Sequence, residues 1–317
     1  YFDGGAQNYK TVSPWDIEGA YNAFYSKPKY NDAVSDIIIR GCYFTKIWSS
    51  VVGSYGASGD VYPHFTTNNL TFVNNHIYDI GFHGVGMNEF KNSYIARNTM
   101  IQIGLSIPDP TGVYGSGLGI DASAGCEDIL VERNIIDGTG GGMKCETHVN
   151  GGVDVPSKRI RFLYNTVKNV YKLNGIDCEA TGNIIEEQQG YGLIIANKAK
   201  GCKASYNKIK GSINSSGIYI GNGIHNTVDF NECSNSLHGI YIEGAGNKVI
   251  NNKCFQNRQD GIRLTSGDFC DISKNECYDN GNYGIKAEIP SNITSVKYLS
   301  CFDNKCYDTR EGVDRTQ

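Results

Sequence analysis

The sequence predicts an all-β chain wound into a single-domain parallel β-helix of about ten coils. Three observations carry that expectation. First, the chain nearly repeats itself: "YNKIKGSINSSGIYIG" (206–221), "FNECSNSLHGIYIE" (230–243), "NNKCFQNRQDGIRLT" (251–265) and "KNECYDNGNYGIKAE" (274–288) share one outline. Each has an Asn, an apolar residue two places on, a polar turn, then Gly-Ile and an alternating strand. Second, the Asn residues fall at 207, 231, 252 and 275, spacings of 24, 21 and 23. A period in the low twenties is too short for a propeller blade or a helix pair, but it holds three short strands and three turns. Third, periodic helices and the leucine-asparagine signature of leucine-rich repeats are both missing.

The elements follow in order. Residues 1–34 read as a lead-in or cap, 35–308 as the coils, and 309–317 as a tail. Looser copies of the repeat run backward through Asn183, Asn165, Asn134, Asn98 and Asn75, and one runs forward to Asn304. Glycines open the following strand at Gly84, Gly117, Gly142, Gly175, Gly192, Gly217, Gly239, Gly261 and Gly284. Two residues beyond each Asn stand Ile77, Met100, Ile136, Val167, Ile185, Ile209, Cys233, Cys254, Cys277 and Cys306. One inward slot is thus filled by an aliphatic stack that becomes a cysteine stack. Free cysteine packs there as a small hydrophobe. A column with about 4.8 Å between coils neither surrounds a tetrahedral ion nor brings sulfurs to bridging geometry. The asparagines are read as structural, tolerating a left-handed turn and bonding to one another in a ladder.

Composition excludes some functions. The 33 acidic and 29 basic residues give a net charge of -4, so charge offers no case for nucleic acid or an anionic membrane, and both are expected to be absent as partners. No apolar run approaches a membrane span. The 39 glycines and 7 prolines suit a chain of many turns. The 11 cysteines form no CxxC pair. The sequence opens on Tyr1 rather than methionine, as an excerpt of a longer protein would.

The repeat resembles the right-handed parallel β-helix superfamily that includes pectate lyases, mannuronan epimerases and phage tailspikes, over roughly residues 35–308. The resemblance implies right-handed winding, a polysaccharide substrate on the outer face, and an extracellular or virion-associated setting. Tailspikes would add a homotrimer. Many unpaired thiols fit assembly in a reducing cytoplasm, where virion proteins are built.

The Gly-Ile strands set an expected register. With Ile176, Ile218, Ile240, Ile262 and Ile285 inward, one outward row reads Gly86, Gly119, Lys144, Asp177, Ile194, Tyr219, Tyr241, Arg263, Lys286. The next reads Asn88, Asp121, Glu146, Glu179, Ala196, Gly221, Glu243, Thr265, Glu288, and His148 extends the strand of Lys144. Asp121, Glu146 and Glu179 are then expected in one column of three coils. Like charges directly opposite are destabilising, so a lysine, a cation such as calcium, or a protonated carboxyl must relieve them. Neighbouring coils put two carboxylates at roughly the retaining-glycosidase distance, and two coils, about 9.6 Å, lie near the upper end for inversion.

Glu146, Asp177, Glu179, Asp121, Lys144 and His148 are therefore the candidate catalytic group. Asn88, Tyr114, Arg159, Tyr219, Tyr241 and Arg263 are candidate substrate contacts, with Asp109 beside them. The insertions 105–117 and 148–162 border the cluster, 54–65 is a third such loop, and loops on a rigid scaffold commonly wall a groove. The bland alternative is an ordinary charged sheet face with tyrosines as cross-strand pairs.

Three chemistries are expected, in this order. The first is a polysaccharide-cleaving glycoside hydrolase using paired carboxylates, with no cofactor required. The second is a polysaccharide lyase or epimerase in which Lys144 removes the proton beside a uronate and calcium or an arginine neutralises that uronate. "GIDCEATGN" (175–183) resembles the Gly-Phe-Asp-Pro-His-Glu strand of mannuronan epimerases at Asp177, but lacks the proline and has Glu179 in place of the histidine. The paired-aspartate and Gly-His-Gly motifs of polygalacturonases are missing. The third is a glycan-binding tailspike or adhesin that does not cleave.

Overall fold

The computed structural model describes residues 2–3, 23–26, 35–47, 50–54, 67–104, 117–137, 141–150, 153–169, 171–186, 190–212, 214–266, 268–288 and 298–307. Most of the expected lead-in, the tail from 309 onward, and the loop residues Asp109 and Tyr114 lie outside them. The chain divides into two compact units, Tyr1–Asn169 and Val170–Gln317. Each is a length of right-handed parallel β-helix whose coils repeat the same three strands.

In the second unit one coil runs Glu179–Thr181, Ile184–Glu186, Leu193–Ile195, and the next runs Lys203–Ser205, Lys208–Lys210, Ile218–Ile220. Corresponding strands pair in parallel, in register, from coil to coil. The first unit is built alike, for instance from Leu130–Glu132, Ile135–Asp137 and Met143–Glu146. Among the described residues the strand at the third position occurs five times in the first unit and six in the second, in line with about ten coils.

Alternation decides which residues form the core. Ile218, Ile240 and Ile262 are buried, with the partners Ile220, Ile242 and Leu264 two residues on, while Tyr219, Tyr241 and Arg263 between them face outward. The expected cysteine column is present: Ile209, Cys233, Cys254, Cys277 and Cys306 pair in succession. All 11 cysteines are free thiols. Glycines open the strands because the next coil passes too close for a Cβ. A methyl on Gly239 would sit 2.5 Å from the Gly261 carbonyl oxygen, and one on Gly217 would sit 2.8 Å from that of Gly239.

The asparagines form a buried ladder. In the second unit the amides of Asn183, Asn207, Asn231, Asn252 and Asn275 each donate at 2.9 Å to the side-chain oxygen of the next rung, ending at Asn304. The left-handed conformation falls not on these asparagines but on the residue before each, as at Tyr206, Phe230, Asn251 and Lys274, with φ near 55°. That residue turns the chain outward, so the following Asn points in and serves backbone groups that the turn leaves without strand partners. Two shorter ladders were not legible in the repeat: Cys202 to Asn226 to Asn247, and Ser236 to Asn257 to Asn280.

Candidate functional site

In the first unit the strand Ile120–Ser123 lies between Val85–Asn88 and Met143–Glu146. Its register differs from the expectation. Asp121 pairs with Gly86 on one side and Lys144 on the other, and Asn88 is opposite Ser123. The strand opens at Gly119, whose carbonyl accepts the Val85 amide at 2.9 Å, rather than at Gly117. The sequence "GSGLG" offers three glycines, and the strand opens at the third, the one followed by isoleucine as in the later coils.

The shift removes the expected column of like charges. Lys144 Nζ lies 3.3 Å from Asp121 Oδ2 and 3.3 Å from Glu146 Oε2, so one ammonium is shared by two carboxylates. The side chains of Asp121, Lys144 and Glu146 are 12%, 17% and 21% exposed, enough to meet a ligand while much of their water is excluded. Burial works against the charge on Lys144, but Asp121 and Glu146 outweigh it and hold its proton more tightly than usual. The Ser123 hydroxyl donates to the other oxygen of Asp121.

His83, which the sequence reading missed, completes the cluster. Its Nε2 is 3.8 Å from Asp121 Oδ2, and its Nδ1 accepts the Leu118 amide at 3.0 Å. That acceptor role puts the proton of the neutral ring on Nε2, facing the carboxylate. Burial, opposed by Asp121 and aided by Lys144, lowers its pKa to about 4. Gly86 leaves room for the ring, since a Cβ there would sit 3.0 Å from it. The signal lay in "FHGVG": a histidine placed before a strand that opens and continues on glycine.

The other candidates in this unit stand aside. His148 begins an antiparallel hairpin, His148–Asn150 with Val153–Val155, and is exposed. The hairpin is tied down by Ser157, whose single hydroxyl proton faces the Ala122 carbonyl at 2.9 Å and the Glu146 carbonyl at 3.2 Å. Arg159 is exposed on a turn and committed to Asp128 at 2.7 Å and to Glu127.

In the second unit two candidates leave the expected row. Gly175-Ile176 does not open a strand of the Tyr219 sheet. Its place is taken by Tyr171–Asn174, which pairs Lys172 with Ile194. Ile176 instead bridges to Lys200 at a turn. Asp177 is an exposed bend residue with φ 52°, and Glu179 pairs with Lys203 on a different sheet, accepting from Thr181 at 2.7 Å. The Gly-Ile dipeptide misled because the coil before it opens without glycine.

Tyr219, Tyr241 and Arg263 do form one outward row, continued by Lys286. Tyr191 stacks on Tyr219 at 4.6 Å between ring centroids, and Tyr241 lies tilted against Tyr219 at 5.7 Å. Both Tyr219 and Tyr241 donate to Glu243, the latter at 2.6 Å, and burial together with that carboxylate raises both phenol pKa values. Beneath the row lie a buried histidine and aspartate, His238 and Asp260, 3.3 Å apart. Among the described residues no three His, Cys, Asp or Glu side chains are arranged to hold a metal ion.

Comparisons with known proteins agree with this architecture. Residues 167–307 match the family model described as right handed beta helix region. No curated protein matches the chain. Among solved structures the chain is similar to the A-module of a mannuronan C-5 epimerase from Azotobacter vinelandii, at TM-score 0.53 and 13% identity, covering 86% of each chain. It is also similar to PfbA, a surface adhesin of Streptococcus pneumoniae (TM-score 0.51, 13% identity, 80% of this chain and 71% of that one). A double mutant of the periplasmic alginate epimerase AlgG gives TM-score 0.51 at 12% identity, over 86% and 76%. At these identities the likeness is one of fold.

Proposed function

We propose that the chain acts on a polysaccharide as a glycoside hydrolase, with Asp121 and Glu146 as the working carboxylates and an extracellular or envelope setting. The observation that carries this is the shared ammonium: both carboxylates approach Lys144 Nζ at 3.3 Å, so the two oxygens lie within twice that distance of one another. That span brackets the about 5–5.5 Å of retaining enzymes and falls short of most of the inverting range.

The roles follow from exposure and partners. Asp121 is the deeper group, fixed by Ser123, Lys144 and the His83 edge, and attacks or stabilises the anomeric carbon. Glu146, nearer solvent, takes up a proton when the incoming sugar parts it from Lys144, and gives that proton to the leaving oxygen as the glycosidic bond breaks. It then takes one from the water that releases the sugar from Asp121. Lys144 keeps two carboxylates close without repulsion. The lyase reading fares worse here, because it needs Lys144 unprotonated and both neighbours hold its proton in place. A polysaccharide ligand is further supported by structural neighbours named as mannuronan and alginate epimerases.

A second reading, glycan binding without cleavage, is favoured by the tyrosine row Tyr191, Tyr219, Tyr241, whose rings offer apolar surface to sugars. The test is incubation with a panel of polysaccharides. New reducing ends are expected from the wild type, and Glu146→Gln should lower their rate by about 10²–10⁴-fold. Unsaturated uronate absorbance would instead mean elimination, retention without products would mean binding alone, and an active Glu146→Gln would remove this residue from the reaction.

A further inference from the structure

We propose that the second unit carries a binding site for a carboxylate-bearing sugar, centred on Arg263 and Lys286, in which the chain's own Glu288 stands where the ligand's carboxylate goes. Glu288 follows the strand Ile285–Ala287, and its side chain is 44% exposed. A single oxygen of it, Oε2, meets both cations: Arg263 Nη2 at 2.6 Å and Lys286 Nζ at 3.3 Å. Such a solvent-facing pair is a weak tie, easily exchanged.

Arg263, by contrast, is held from beneath. Its Nη1 is 3.5 Å from His238 Nε2 and 4.0 Å from Asp260 Oδ2, and those two side chains are 6% and 2% exposed. His238 is itself held by Asp260, its Nδ1 lying 3.3 Å from both the Asp260 carboxylate and the Asp260 amide nitrogen. The cation is thus positioned before any ligand arrives. Its Nε is buried and has no acceptor among the described residues. A guanidinium fork is matched by two oxygens of one carboxylate, and Glu288 engages it through one.

The surroundings suit a sugar. Tyr241 lies against Arg263, ring centroid 6.0 Å from Cζ, and the tyrosine row extends apolar surface away from the cations. A pyranose on that row would bring an attached carboxylate to the Arg263–Lys286 pair while Glu288 turns out to solvent.

Isothermal titration of trigalacturonate, with maltotriose as the uncharged control and a sulfated trisaccharide as the alternative anion, tests this at low and high salt. Glu288→Gln should tighten trigalacturonate binding about fivefold, the scale of one exposed ion pair, and leave maltotriose unchanged. Lys286→Gln should weaken trigalacturonate, and Arg263→Gln should abolish its binding. Glu288 and Lys286 are surface groups, so those two variants keep the test informative if Arg263→Gln unfolds. No gain in Glu288→Gln, an equal gain for maltotriose, or tighter binding of the sulfated sugar would overturn the site. Heat of binding is read in the second unit's variants, so failure of the cleavage test leaves this one standing.

Discussion

Asn231→Ala is expected to cost about 4 kcal/mol of folding stability, within a range of about 2–6. Asn231 is fully buried. Its side-chain oxygen accepts two bonds from Asn207, from the backbone amide at 2.9 Å and from Nδ2 at 2.9 Å. Its own Nδ2 carries two hydrogens, which face the Ala204 carbonyl at 2.9 Å and Asn252 Oδ1 at 3.0 Å, with the Asp229 carbonyl also near at 3.1 Å. Alanine leaves two Asn207 N–H donors facing a dry gap, each costing about 1–3 kcal/mol. Asn304 makes the same bonds to Asn275 but is half-exposed, so water can replace it and Asn304→Ala should cost about 1 kcal/mol. Urea denaturation followed by circular dichroism measures both, with an unchanged m-value showing that the same surface is exposed on unfolding. Exchange of the Asn207 amide gives the local readout. Equal losses in the two variants, or an Asn207 amide as protected as in the wild type, would refute the ladder's role.

Two further outcomes can be checked alongside the cleavage and binding tests. His83 is neutral down to about pH 4 in the fold and titrates near 6.5 when unfolded, so the unfolded chain binds more protons between those values. Stability should therefore fall by about 3 kcal/mol as pH drops through that window. His83→Gln should flatten the profile there, and an unchanged profile would contradict the assignment. Gly239→Ala should destabilise strongly, since its Cβ would meet a carbonyl oxygen at 2.5 Å and the Cys254 side chain at 2.8 Å, whereas Gly190→Ala, with open space around it, should be near neutral in the same melts.

The winding was legible because the Asn and Gly-Ile spacing marks every coil from 206 to 288, and the inward rows there agree with the structure. Register became ambiguous where that marking lapses. At 115–119 three glycines compete to open one strand, and the one that does, Gly119, is the glycine followed by isoleucine. At 171–176 the strand opens without glycine, so the Gly-Ile that follows drew the reading one strand too far along. Asp177 and Glu179 were misplaced for this reason, and Asp121 shifted by two residues. Lys144 and Glu146 were placed correctly, having a plain glycine opening before them. His83 and His238 escaped notice because both lie in irregular segments ahead of their strands, where alternation says nothing about direction.

The sulfurs of Cys233, Cys254 and Cys277 have a practical consequence. No bridge joins them, all three are sealed from solvent, and the last two lie well above the ordinary thiol range, Cys254 chiefly through burial and Cys277 chiefly through its hydrogen bond with Cys254. An alkylating reagent can tag each only after its own turn of the solenoid has come open. Mass spectrometry of partly labelled molecules would then give the order in which successive turns unravel, from reporters the protein already carries.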